Sequence, residues 1–247
     1  MSPPLEPTFG ERSTPLALGL EVFDAQRGQR IASRLQVSVE NARRTPIPRH
    51  SSCQHALRVQ PGLRDPLRVR FEDPTRRFVP RILEIPLTPR PVMLQPGFFP
   101  GATYPVSERS TGLRGRVVRG PQKAPLRWAR VVARRGGSVV GRAHGDDRGE
   151  FLLIIDASAA SIGPLLDPPL EVTVYGPLPL PPVPSSPALP AEDPLWDLPV
   201  EVATATTDDV ARGIALPTGY GATATSVRTL TFQLSRLMSA EDFVFSP

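Results

Sequence analysis

The stretch GDDRGEFLLII, Gly145 to Ile155, sets Asp146, Asp147 and Glu150 beside His144 and directly ahead of an unbroken apolar run. Acidic side chains next to a histidine can hold a cation or exchange protons. The same spelling, Asp-x-x-Gly before β-branched and aromatic residues, also writes the turn of a β-hairpin. On the turn reading, Asp146 or Asp147 accepts backbone amide hydrogen bonds and Gly149 takes the positive φ needed before the strand. A calcium site would need further oxygen ligands converging on the ion, and the sequence shows none. Adjacent carboxylates on a turn or strand also point apart, which does not suit a paired acid and base. The stretch is therefore read as a turn, and the surroundings are read as ribbon.

Working outward, LRGRVVRGPQKAPLRWARVVARRGGSVVGRAH (113–144) alternates apolar and polar residues in short runs broken by Gly120, Pro121 and the Gly136-Gly137 pair. With Phe151 to Ile155 this gives four strands in about forty residues. One strand is expected over Trp128 to Ala133 and another over Ser138 to Ala143. Upstream, Leu18, Leu20 and Val22 alternate, Asp24 to Gly28 supply a turn, and Leu35, Val37 and Val39 alternate again. A second hairpin runs through Leu67, Val69 and Phe71 and resumes from Phe78 to Leu87. About five to seven short strands are expected before residue 90, a spacing suited to packed antiparallel sheets. Downstream, a short helix is expected over Thr207 to Arg212 and a strand over 226–234.

The order Gly-x-Val, turn, Pro-Leu-x-x-Ala-x-Val, glycine turn, Asp-Asp-x-Gly-Glu-Phe resembles the carboxypeptidase regulatory-like domain, a transthyretin-like β-sandwich. Gly115, Val117, Pro125, Leu126, Ala129, Val131, Gly149 and Phe151 hold the stressed positions. The resemblance covers 113–156, and EDFVF (241–245) is similar to the closing strand of that family. His144 and Gly145 depart from it, standing where a threonine and a small residue are usual. The resemblance implies a fold and almost nothing about activity, because this sandwich accompanies enzymes, receptors and surface proteins without being catalytic itself. The whole-chain layout is also similar to accessory proteins of phage-tail-like contractile particles.

The expected fold is all-β: two antiparallel β-sandwich units joined by proline-rich arms. A tail occupies 1–14, an N-terminal β unit 15–90 and a proline-rich linker 91–112. The regulatory-like sandwich occupies 113–247, with a proline-rich insertion at 176–199. The 32 prolines and 19 glycines among 247 residues exclude long helices. Five prolines in 88–112 favour extended chain there, anchored by Phe98, Phe99 and Tyr104. The insertion is read as polyproline II, a rigid strap.

The net charge of +5 raises the class of nucleic-acid binders. Lys123 is the only lysine, and the arginines alternate with Val or Leu as on the wet face of a sheet instead of forming an aromatic-laced block. Nucleic acid is thus the third reading. RHSSCQH offers His50, Cys53 and His55, with His144 the only further histidine; this falls short of a four-ligand zinc site and lacks an orienting group for a cysteine nucleophile. Cys53 is alone, so no internal disulfide is expected. The first twenty residues lack the pattern of a signal peptide and no run reaches a membrane span, so a cytoplasmic protein is expected. No catalytic, cofactor or metal site is expected, no cofactor, and protein partners are. The alternative is a carbohydrate or cell-surface binding module using Trp128, Trp196 and Tyr220.

Overall fold

The computed structural model describes residues 14–40, 44–52, 54–88, 90–156, 169–180, 193–204 and 208–246. The protein is an all-β sandwich fold. The strands in the first part of the chain are β1 (Leu16–Leu20), β2 (Phe23–Asp24), β3 (Gln29–Arg30), β4 (Gln36–Val39), β5 (Thr45–Pro46), β6 (His55–Arg58), β7 (Leu67–Glu72), β8 (Arg81–Ile85), β9 (Val92–Leu94) and β10 (Gly97–Phe98). Then come β11 (Gly112–Arg119), β12 (Ala124–Pro125), β13 (Arg130–Arg135), β14 (Ser138–His144), β15 (Glu150–Ile154), β16 (Leu170–Pro177) and β17 (Val200–Val202). Helix α1 (Asp209–Arg212) precedes β18 (Tyr220–Leu230), β19 (Leu237–Ser239) and β20 (Phe243–Phe245).

A five-stranded sheet, β17-β8-β7-β4-β5, packs over two smaller ones, β6-β1-β9 and β10-β2-β3. Leu18 and Leu20 of β1 meet Val69 and Phe71 of β7 and Leu83 and Ile85 of β8 in one core. In the second unit, β14-β13-β16-β18 faces β12-β11-β15, with β19 and β20 also paired to β11. Val131, Val172, Val174, Phe151, Phe243 and Phe245 fill that space. The alternation read from the sequence is the alternation of burial: each of these residues lies on the inward parity of its strand.

Four features depart from the expectation. The sheets are mixed, because β9, β10, β17, β19 and β20 each enter parallel to a strand far away in sequence. The segment 91–112, expected as a linker, supplies β9 and β10 to the first unit and buries Phe98, Phe99 and Tyr104. The chain after the proline run leaves the second sandwich: residues 200–202 form β17 at the edge of the first unit's sheet, while 181–192, half of the strap expected over 176–199, lie outside the described residues. Lastly, Trp128 is not in a strand. It sits in a turn at φ 60 and β13 starts at Arg130. The helix expected over Thr207 to Arg212 is α1, Asp209 to Arg212, with Asp208 Oδ1 accepting from Val210 N (2.8 Å) as the N-cap and Gly213 closing the end at φ 75. Thr207 is outside the described residues.

The unbroken FLLI run has a physical reason. Phe151 and Leu153 point into the second core, while Leu152 and Ile154 pack against the first. A strand buried on both faces has no wet parity, so no alternation appears. β15 is the shared wall of the two units. No helix among the described residues is long and apolar enough to cross a membrane.

Candidate functional site: the junction of the two units

The acidic stretch forms the tip of the β14–β15 hairpin. Asp146 Oδ1 accepts from Arg148 N (2.8 Å) and Glu150 N (2.9 Å), and Gly149, at φ 75, donates to Asp146 O (3.1 Å). Asp147 turns the other way, toward Arg76, at 3.4 Å. Burial pushes the Asp146 carboxyl above its usual range; the two backbone donors oppose this, and the charges of Asp147 and Glu150 add to it. Glu150 is exposed. The three carboxylates therefore diverge, and among the described residues no group of three His, Cys, Asp or Glu side chains is arranged to hold an ion. The stretch does what a turn requires. Asp146→Ala should cost about 1–2 kcal/mol, the scale of a lost cap, and Asp147→Ala, whose ion pair is on the rim, less than about 1 kcal/mol. Thermal denaturation of the two variants, with and without added calcium, checks both the order and the absence of a metal contribution.

Across a cleft of about 180 Å³ stands a second turn of the same design. Asp73 accepts from Thr75 N (2.9 Å) and Thr75 Oγ1 (2.7 Å) on one oxygen and from Arg77 N (3.1 Å) and Phe78 N (3.2 Å) on the other. Pro194 and Leu195, just after the proline run, close the cleft between the two turns.

Below the cleft the two units are joined by buried charge. Arg81 on β8 is fully buried and forks onto Glu201 of β17 (3.1 and 2.8 Å). It also donates to Gly97 O (2.7 Å), Ala211 O (2.8 Å) and Val210 O. Arg130 at the start of β13 reaches the same carboxylate (3.0 Å) and donates to Trp128 O (2.8 Å). Burial alone would raise Glu201; the two guanidiniums outweigh it and hold the carboxyl below the usual range. A second node lies on β7, where the buried Arg70 takes Asp193 bidentately (2.6 and 2.8 Å) and pairs with Glu72 (2.6 Å). Residues 193–203 are thus pinned at both ends, by Asp193 on Arg70 and Arg44 of the first unit and by Glu201 between Arg81 of the first unit and Arg130 of the second. Trp128 Nε1 adds a bond to Asp197 (2.9 Å), and its ring packs with Val79, Ile82 and Leu198.

His144 belongs to this junction. It stacks on Phe99 (4.2 Å between centroids), and because Gly213 O is an acceptor, Nε2 carries the proton it donates there (2.9 Å). Burial, then Arg130 and Arg81, push its pKa well below the ordinary value. His55, also buried, is lowered to about 4, by burial and then by Arg49. His50 bonds locally to Ser52, and Cys53 lies outside the described residues. Both buried rings are neutral in the folded protein and take up protons when unfolded. Their stabilisation is therefore complete above pH about 6.5 and is lost as pH falls from there toward 4. Urea titrations at pH 7.5 and 5 should show the midpoint falling at pH 5, and His144→Phe should fall less.

Of the three aromatic platforms expected for a carbohydrate site, two are withdrawn from solvent. Trp128 is buried, and Tyr220 is under Arg130 with its hydroxyl on Trp128 O (3.2 Å), its pKa pushed up to about 12 chiefly by burial. Trp196 remains, 53% exposed and next in the chain to Leu195 of the cleft. The Glu201 and Asp193 nodes have no counterpart among the expectations drawn from the sequence. The only signal is local: Arg81 shares strand parity with the core residues Leu83 and Ile85.

No family model matches the chain and no curated protein matches it. Three solved structures are similar over part of their length. A 9R-lipoxygenase from Cyanothece PCC8801 is 14% identical, covering 58% of this chain and 17% of its own, at TM-score 0.27. The Bacillus anthracis TIE protein is 11% identical, covering 92% and 33%, also at 0.27. A streptococcal ancillary pilin is 9% identical, covering 96% and 64%, at 0.25. The chain spans less than two thirds of each of these proteins, and at such scores the likeness carries no argument about function.

Proposed function

We propose that the chain is a non-enzymatic structural or assembly protein that works through protein–protein contacts, as an accessory component of a phage-tail-like contractile particle. The observation that carries this reading is the use made of the polar side chains at the junction. Asp146 shapes a turn, and Asp193 and Glu201 neutralise buried arginines of both units, so chemistry-bearing groups are committed to holding two sandwiches in one fixed relation. A rigid body with outward loops suits assembly, since little conformational freedom remains to be lost on docking. The sequence resemblance of 113–156 and 241–245 to a carboxypeptidase regulatory-like sandwich supports the same class, that sandwich being an accessory module.

The test is sedimentation of a native-cell extract, followed by imaging of the fractions that contain the protein. The reading expects it in a heavy fraction with a regular particle. Recovery at monomer mass in every fraction overturns it. A glycan array run on the same material, with Trp196→Ala as the control, distinguishes the carbohydrate reading.

A further inference from the structure

The outward face of the β14-β13-β16-β18 sheet is covered at one end and open at the other. Register sets His144, Arg130 and Tyr175 in one row, and this row lies under the junction. The next row holds Arg142, opposite Val132, and the row after it Arg134, opposite Val139 across a bulge. Among the described residues Arg134 and Arg142 form no ion pair, while Val132 and Thr173, in the row of Arg142, are buried beneath them. Arg134 has Glu171 as its register partner on β16, yet its guanidinium lies over the Tyr175 ring (5.9 Å), and Glu171 instead accepts from Thr173 (3.4 Å). Arg142 is half-buried, and no ion pair or hydrogen bond to it is formed among the described residues. Arg212, in the last turn of α1, adds a third guanidinium near enough to act on Arg142. The carboxylate of Asp209 is solvated and sits 3.8 Å from Arg212. Burial first, then Arg134 and Arg212, lower the Arg142 pKa, and the charge of Asp209 opposes them only in part.

We propose that this face docks an acidic segment of a protein partner, with Arg142 forking onto a carboxylate between Arg134 and Arg212. A guanidinium presents paired donors that match a carboxylate. Val139 at one edge of the sheet and Val227 at the other are exposed and give apolar side chains a seat, which an extended peptide can use. Nucleic acid fits less well. The ring in the patch, Tyr175, lies under Arg134 and offers no face for a base, and three arginines do not make a track along a phosphate backbone. The proposal rests on the assembly reading for its class of partner and on the grouping of Arg134, Arg142 and Arg212 for its location.

The experiment is fluorescence anisotropy on the full chain with three labelled probes: an eight-residue peptide alternating Glu and Val, the same peptide with Lys for Glu, and an eight-nucleotide single-stranded RNA. The Glu peptide binds, its affinity falls with salt, and Arg142→Gln weakens it at least about tenfold, the effect of losing one charge-assisted pair. Arg212→Gln, on an exposed side chain, weakens it severalfold, and Arg148→Gln on the far hairpin leaves it unchanged. No Glu-peptide binding, or equal binding by Arg142→Gln and wild type at unchanged Tm, overturns the proposal. So does RNA binding that exceeds peptide binding and is lost in Arg142→Gln. In the sedimentation experiment, Arg142→Gln that still travels with the particle overturns this surface and leaves the assembly reading standing, whereas wild type travelling alone sinks the assembly reading itself.

Discussion

Replacing Glu201 by glutamine should cost about 3–5 kcal/mol of folding stability, the range measured when one partner of a buried ion pair is removed. For a chain of this size that is a drop in Tm of roughly 6–20 °C. The reason is what is left behind. Arg81 is fully buried and the Arg130 side chain is 4% exposed, and glutamine offers them one neutral acceptor where the Arg81 fork and the single Arg130 bond shared a charge. Glu84→Gln is the control: its partner Arg68 is about half exposed, so less than about 1 kcal/mol is at stake. The sign against pH follows from the depressed Glu201 carboxyl. Its stabilisation is present above the unfolded value near 4.5 and disappears as pH falls through the lower folded value, so wild type and variant converge in acid. Urea denaturation of all three proteins at pH 7 and pH 3.5 measures this. An all-apolar replacement of Arg81, Glu201 and Arg130 should recover only part of the loss. Carbonyls of Gly97, Ala211, Val210 and Trp128 depend on those guanidiniums, and apolar side chains leave them without donors.

The sheets were legible because their residues obey one rule, apolar inward at period two, and the hairpin tip was legible because Asp146 and Gly149 act within five residues of each other. The junction obeys a different rule. In Val200-Glu201-Val202 the alternation reads as valines inward and glutamate outward; the structure inverts it, with Val202 48% exposed and Glu201 buried. A glutamate is stable there only because two arginines, 71 and 120 residues away in sequence, converge on it. Nothing in the local pattern announces such partners. Arg70 misleads in the same way. Alternating with Leu67, Val69 and Phe71, it reads as a wet-face residue, and that face is the one the returning chain covers with Asp193. Parallel strand additions are hidden for the same reason. β17 and β20 are three residues long, and their registers with β8 and β11 are set by packing across the molecule, which a single-sequence period cannot encode.

Gly149→Ala should cost about 2–4 kcal/mol, from two terms that can be separated. The first is the left-handed backbone, at φ 75, which any L side chain adopts at a cost of about 1–2 kcal/mol. The second is space. A Cβ at this position would stand 2.5 Å from Val117 O, 3.2 Å from Leu126 O and 3.3 Å from Leu126 N. All three are backbone atoms, and Val117 O already accepts from Leu126 N (2.9 Å), so nothing flexible can move aside. Gly137 isolates the first term, since it has φ 83 and nothing within 4 Å of an added Cβ. Gly137→Ala should therefore cost about 1–2 kcal/mol, and Gly137→Asn less, because asparagine tolerates this conformation. Gly149→Asn, by contrast, should be no better than Gly149→Ala, since the obstruction is reached at Cβ whatever follows it. Equal losses for Gly149→Ala and Gly137→Ala in urea denaturation would show that the hairpin tip has room to spare. The close seating of the GDDRGE turn on β11, which fixes β15 as the wall between the two cores, would then be wrong.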